Sequence, residues 1–389
     1  MSVLLTLCTL LLLAYVFDWS AARTRIPSVI LLIVLGWLVR QLTNGFNIII
    51  PDLSDILPLL GTVGLILIVL EGSLELEFNR SKTKEVRTAF LAALLPLLVL
   101  AAVLAGAWVW LGYGSWQSAL ANALPICVIS SAIAIPTARA LPSSLKSFVV
   151  YESSLSDIIG VLVFNAVALH AEPGWDRMLT FIVQLAVMAL ISLVATLGLS
   201  YLLQRIDHSI KFVPIILLLI LIYGLAKAFH LPALIFILIF GLFLGNSAEL
   251  KQWRLLKAIH PEKLQPEVQR FHELITEFTF LVRSLFFLLF GYLIETSEIT
   301  DTRSLGWALG ITALLFLLRA LTLKWLKQQV FPLLFLAPRG LITILLFLSL
   351  AEGDRLPVAG KPLILQIIVL TALVMMLGMM SYRRPEKTG

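Results

Sequence analysis

Glu152 and Asp157 sit in YESSLSDIIGVLVFNAVAL, residues 151–169, a run otherwise apolar enough to cross a membrane. An ionised carboxylate near the bilayer centre costs at least about 2.5–3.5 kcal/mol, so a chain keeps one only where it is paired or used. Five residues apart on a helix, at 100° per residue, the two acids point about 140° apart and do not share a site. Ser153, four residues before Asp157, lies on its face, while Ser156 lies four residues after Glu152. This assigns two jobs. Asp157 faces a cavity and takes either a small cation or a proton, and Glu152 faces another helix. A hard cation needs further oxygen ligands. Ser130, Ser131, Ser153 and Ser156, with backbone carbonyls freed at a helix break, are the candidates. Each of these serines has a plainer role available, bonding its own backbone or allowing close packing.

The natural partner for Glu152 is Arg319 in LLFLLRALTLKWL, one of few cations deep within an apolar run. Asp157 has no evident cation of its own. Two spans are interrupted. ICVISSAIAIPTARAL carries Ser130, Ser131 and Pro136 at membrane depth, and FLAPRGLITILLFL groups Pro338, Arg339 and Gly340. Proline removes a backbone donor and leaves a carbonyl free one turn earlier. Irregular backbone at that depth persists only where protein buries it or water lines it. Arg339 is suited to neutralising carbonyls at the second break. Arg283 is read as snorkelling or pairing with Glu277, Asn165 and Gln184 as contacts between helices, and His208, His260 and His272 as residues of inside loops.

These residues need a membrane scaffold, and composition supplies one. Of 389 residues 60% are hydrophobic and 13% charged, about half the usual soluble share of roughly 25%, with mean hydropathy +0.99. The net charge of +6 is no sign of nucleic-acid binding in such a chain. The two cysteines, Cys8 and Cys127, imply no disulfide framework. The first 17 residues lack a basic leader region and a cleavage site, and read as a retained helix. No Walker loop, dinucleotide fingerprint or zinc-type cluster appears, so neither an enzyme nor a cofactor is expected.

A ruler of about 20 apolar residues gives thirteen spans: 2–17, 27–43, 56–74, 88–112, 116–138, 147–169, 178–203, 212–229, 231–248, 274–294, 303–326, 331–351 and 362–382. With the N-terminus outside and the C-terminus inside, twenty of the 29 Lys and Arg fall in inside segments, six outside and three within spans. That asymmetry exceeds three to one and satisfies the positive-inside rule. The inside segment 249–273 is either amphipathic or a linker. The interrupted spans are the fifth of the first six and the fifth of the last six. Such a pairing marks a secondary transporter built from inverted repeats. The expected organisation is a single unit over 1–389, with repeats 1–169 and 212–382 joined by a linker helix at 178–203.

At these residues the sequence resembles the monovalent cation:proton antiporter superfamily, nearest its sodium/proton exchanger branch, over most of the chain. GLILIVLEGSLELEFNRSK is similar to the end of that family's third span. YESSLSDIIG is similar to its glycine-glutamate-serine-leucine-x-asparagine-aspartate motif, with Glu152 and Asp157 at the family's spacing. LRALTLKWL and APRGLITILLFLSL resemble the segments whose arginines fall on Arg319 and Arg339. In two places this chain departs from the pattern. Ser156 stands where Asn or Asp precedes the key aspartate, and Ser130, Ser131 and Ala132 stand where the family has threonine-aspartate-proline. Hydroxyls thus replace an amide and a carboxylate.

The resemblance implies an all-α antiporter fold of about thirteen helices in two inverted six-helix repeats with two broken crossing helices. It implies exchange of Na⁺, or K⁺ or Li⁺, for H⁺ by alternating access, with competition at Asp157. A single aspartate there, with arginine in the eleventh span, resembles electroneutral members. It further implies a homodimer in a prokaryote's cytoplasmic membrane. A core domain, 88–169 with 303–382, would slide against a dimerisation domain, 1–87 with 178–294. Rival readings are a potassium/proton antiporter and a non-transporting membrane sensor or scaffold that keeps the fold.

Overall fold

The structure is a computed structural model. It describes residues 2–24, 26–46, 53, 55–76, 82–139, 141–168, 175–206, 210–229, 231–247 and 261–382. Arg25, Arg80, Lys251, Arg254, Lys257, Arg383, Arg384, Lys387, His208 and His260, which the sequence reading places in inside segments, lie outside the described residues.

In chain order the helices are α1 (Ser2–Thr24), α2 (Ser28–Gly45), α3 (Ile56–Glu75), α4 (Thr83–Trp110), α5 (Trp116–Cys127), α6 (Ser131–Ala138), α7 (Ser143–Ala168) and α8 (Trp175–Arg205). They continue with α9 (Phe212–Ala228), α10 (Leu234–Gly245), α11 (Pro261–Tyr292), α12 (Thr296–Ile299), α13 (Thr302–Trp325), α14 (Val330–Leu333), α15 (Leu341–Ser349) and α16 (Lys361–Ser381). No strand occurs among the described residues. Nine elements there are long and apolar enough to cross a membrane, with α5 and α6 taken together as one. Three shorter apolar helices, Leu5–Ala21, Phe212–Ala228 and Leu234–Gly245, and the broken element α14–α15 bring the number to thirteen.

The chain divides into two compact units. Unit 1 comprises Met1–Thr62, Val86–Gly160 and Leu281–Gly389, and unit 2 comprises Val63–Glu85 and Val161–Phe280. In unit 1, α13 packs along α16, α1 along α2, and α15 against α5. Helices α2 and α11 touch backbone to backbone. A Cβ on Gly36 would strike the Leu288 carbonyl oxygen, and one on Gly291 the Ile33 carbonyl oxygen. Small residues permit that approach where lipid supplies no hydrophobic drive between helices.

In unit 2, α8 packs on α10, and Asn246 after α10 donates to the Leu76 carbonyl at 2.8 Å. The tenth span starts earlier than apolarity predicts, because α11 begins at Pro261 rather than near 274. Its first turns are held from the side. Glu267 meets Lys211 at 2.5 Å, and Phe271 stacks against Phe212 and Phe240. Proline at the first helical position suits a helix start. His272 consequently lies on α11 and not in a loop.

Candidate ion-binding site

Both expected interruptions are present, and each has its own chemistry. In the fifth span the helix stops at Cys127, runs extended through Val128–Ser130 and restarts at Ser131, so Pro136 falls inside the second half-helix. In the twelfth, α14 is a single turn, Leu336–Gly340 is non-helical, and α15 follows. The two breaks are joined directly, since the Ser130 N–H donates to the Pro338 carbonyl at 2.9 Å. Gly340 makes the crossing possible. A Cβ there would lie 2.8 Å from Ser130 Oγ and 2.7 Å from Ile133 Cδ1.

A broken helix exposes carbonyls at its first C-terminus and N–H groups at its second N-terminus. Two arginines take the carbonyls. Arg339 donates from Nε to Ile126 O at 2.7 Å, from Nη2 to Cys127 O at 3.2 Å, and from Nη1 to Ala337 O at 2.8 Å. It therefore serves both breaks, where the sequence reading gave it only the second. Arg319 donates from Nε to Leu333 O at 2.9 Å and Leu334 O at 3.1 Å, and from Nη2 to Leu333 O at 2.7 Å and Leu336 O at 3.2 Å. The same guanidinium forks onto Glu152, Nη1 to Oε1 at 2.6 Å and Nη2 to Oε2 at 2.9 Å. Planar two-point pairing of this kind needs arginine rather than lysine.

The N–H end of α6 meets Asp157. Ser131 donates to Asp157 Oδ2 from its backbone N–H at 3.2 Å and also from its hydroxyl. A helix N-terminus favours a negative charge. Ser156 Oγ accepts the Ile129 N–H at 2.9 Å, which ties α7 to the extended segment. Close approach is again needed, because a Cβ on Gly160 would overlap Val128 Cγ2. Asp157 is 2% exposed, and its second oxygen, Oδ1, has no hydrogen-bond partner among the described residues. Ser130 Oγ and Thr343 Oγ1 share that condition.

Of the expected ligands, Ser131 and Asp157 come together directly, and Ser130 and Ser156 belong to the same crossing. Ser153 donates its hydroxyl back to Val149 O at 2.8 Å. The break carbonyls of Ile126 and Cys127, expected to be free for a cation, are occupied by Arg339. The carbonyl freed by Pro136 is that of Ala132, and Arg283 donates to it at 3.2 Å. Arg283 also meets Asp18 at 3.4 Å, which corrects its expected pairing with Glu277. The reason is distance in sequence: a contact between α1 and α11 leaves no periodic trace.

Sequence reasoning missed Thr343 and Thr371. Thr371 Oγ1 accepts the Arg339 N–H at 3.0 Å. Thr343, fully buried in the first turn of α15, carried a signal in its position just after Gly340. Among the described residues no three or more His, Cys, Asp or Glu gather as a metal cluster.

The sodium/hydrogen exchanger transmembrane family model matches residues 8–381. No curated protein sequence matches the chain. Among solved structures, the chain is similar to MjNhaP1, the sodium proton antiporter of Methanocaldococcus jannaschii, in its structure at pH 8. The TM-score is 0.70 at 18% identity, over 97% of this chain and 100% of that one. An electron-microscopy structure of the same antiporter gives 0.67 at 18% identity, over 99% of each chain. At that identity the likeness is one of fold. With nearly its whole length matched by the family model and the same antiporter fold, this multi-pass membrane protein belongs to the sodium/hydrogen exchanger family, a family of transporters that supports cation/proton antiport.

Proposed function

We propose that the protein exchanges Na⁺ for H⁺, one for one, at Asp157. The observation that carries this reading is the asymmetry of the two buried acids. Glu152 is neutralised in a two-point pair with Arg319. Among the described residues, Asp157 is held at one oxygen by Ser131 alone and has its other oxygen unpartnered. A buried carboxylate without a cation of its own must take one up or take a proton. In the exchange step the neutral acid releases its proton to one side and the resulting carboxylate binds Na⁺. On the other side Na⁺ leaves and a proton replaces it. Charge at the site is the same in both loaded states, which makes the cycle electroneutral.

Ser130 and Thr343 hydroxyl oxygens are the additional ligands in this reading, with Ser156 fixing the extended segment and Ser153 shaping the same face of α7. The moving body is 88–169 with 303–382, which contains both breaks and Asp157. It slides against 1–87 with 178–294, the part that forms a homodimer. The N-terminus lies outside and the C-terminus inside the cytoplasmic membrane, which accords with the distribution of Lys and Arg. K⁺ or Li⁺ could replace Na⁺ in the same site. A second reading, a non-transporting sensor, draws on one observation: hydroxyls stand at Ser131 and Ser156 where the resemblance leads one to expect a carboxylate and an amide.

Proteoliposomes with an internal pH dye distinguish these. A proton gradient is imposed and Na⁺, K⁺ or Li⁺ is added, for wild type and Asp157→Asn. Collapse of the gradient by one cation in the wild type only supports exchange through Asp157 and identifies the ion. No cation-dependent proton movement across a range of pH eliminates the antiporter reading in favour of the sensor.

A further inference from the structure

Arg283 is buried in an apolar stretch of α11, where a guanidinium is costly unless it is neutralised or used. Its neutralising partner is Asp18 on α1, whose Oδ1 accepts from Arg283 Nη2 at 3.4 Å and from Ser28 Oγ on α2 at 3.0 Å. Its use is the Ala132 carbonyl. In α6 that carbonyl would accept from the residue at position 136, which is proline and has no N–H. Arg283 Nη1 supplies the missing donor at 3.2 Å.

The position of this carbonyl gives the contact its consequence. The Ala132 C=O and the Ile133 N–H belong to one peptide unit, and the Ile133 N–H donates to Ser130 O at 3.3 Å. A charged donor on the carbonyl polarises the N–H and strengthens that bond. The turn so closed presents the Ser130 N–H to Pro338 and the Ser131 N–H and hydroxyl to Asp157. The turn is buried, but one side of α6 is incompletely packed: a cavity of about 120 Å³ lies along it, lined by Ala132, Ile133, Pro136 and Thr137 with Ser28 from α2.

We propose that Arg283 is a positioning residue for the Asp157 site: in the conformation seen here it reaches from the dimerisation body to the moving one, replaces the hydrogen bond that Pro136 denies to Ala132, and so holds Ser130 and Ser131 in place in that state of the cycle. Asp18 and Ser28 aim it. The effect on ion affinity rests on Asp157 being the exchange site. The bracing of α6 does not.

The test removes the charge pair together, as Asp18→Asn with Arg283→Met, and then adds Pro136→Ala, which returns a backbone donor to the Ala132 carbonyl. The full-length protein is reconstituted for transport and placed in nanodiscs for amide hydrogen exchange. The double variant is expected to raise KM for Na⁺ about tenfold with kcat within about twofold, and to lose protection at residues 131–134. The triple variant recovers both. Wild-type KM and protection in the double variant overturn the proposal. So does a triple variant that folds without recovering, or one that stays unfolded where the double variant is unfolded. If the wild type moves no cation, the antiport reading falls, and amide exchange alone decides whether Arg283 braces α6.

Discussion

Removing the charge of Asp157 and removing the charge of Glu152 are expected to have opposite consequences. Asp157→Asn keeps an acceptor for Ser131 and strands no cation, since Asp157 has no basic partner among the described residues. Its thermal midpoint in detergent should stay within a few degrees of wild type or rise, because a buried carboxylate has become a neutral amide. Cation-dependent proton movement should vanish. Glu152→Gln leaves the Arg319 guanidinium buried without its counter-charge, at a cost of about 3–5 kcal/mol. Its thermal midpoint should fall by many degrees, and expression should fall with it. If both variants lose activity with equal loss of stability, the division of labour between the acids is wrong. The two orientations were legible in sequence, because five residues on a helix turn by a fixed angle. The fact that Arg319 simultaneously serves four carbonyl bonds was not, since three of its acceptors are main-chain groups that any sequence carries.

At the scale of the element, each break is a helix end brought into the membrane, and its orphan groups decide what it needs. Arg339 holds three carbonyls from two different breaks. Arg339→Met should therefore cost more than one ordinary buried hydrogen bond, about 1–3 kcal/mol for each acceptor left without a donor. Thermal unfolding of the purified variant measures it, and a loss under about 1 kcal/mol would mean that the ends repack. Gly340→Ala tests the crossing itself. The added methyl meets Ser130 Oγ and Ile133 Cδ1 under 3.0 Å. Overpacking of that kind costs about 1–3 kcal/mol. Because it pushes on the serine turn beside Asp157, KM for the cation should rise several-fold before stability limits function. The breaks were visible as Pro and Gly clusters. Their mutual hydrogen bond was not, because the Ser130 N–H and the Pro338 carbonyl are separated by more than two hundred residues.

At the scale of the whole molecule, the charge asymmetry of the connecting segments makes an independent prediction. In a background with Cys8 and Cys127 replaced by serine, Ser297→Cys before α13 should react with a membrane-impermeant maleimide in intact cells. Gln328→Cys, after the same helix, should react only after permeabilisation. The reverse pattern would invert the proposed orientation. The helical extension of α11 to Pro261 shows the limit of the apolarity ruler. Those turns are polar enough to read as loop, yet Lys211 and the Phe212–Phe271–Phe240 cluster hold them as helix.

Apolar run length, the angle between Glu152 and Asp157, and the placement of Pro136, Pro338 and Gly340 are local properties. They follow from helix geometry, bilayer thickness and the chemistry of single residues, so the sequence by itself determined a many-spanning helical protein with two broken spans and two differently placed buried acids. Partner choice is different. Which carbonyl Arg339 reaches, that Arg283 turns to Asp18 and Ala132 rather than to Glu277, and that Thr343 is fully buried depend on which helices touch. Contacts such as Arg283 to Asp18 and to the Ala132 carbonyl, and Arg339 to the Ile126 and Cys127 carbonyls, join residues more than a hundred positions apart, most of them through main-chain groups common to every residue. No pattern of side chains along the chain encodes them, and only the packed tertiary structure decided them.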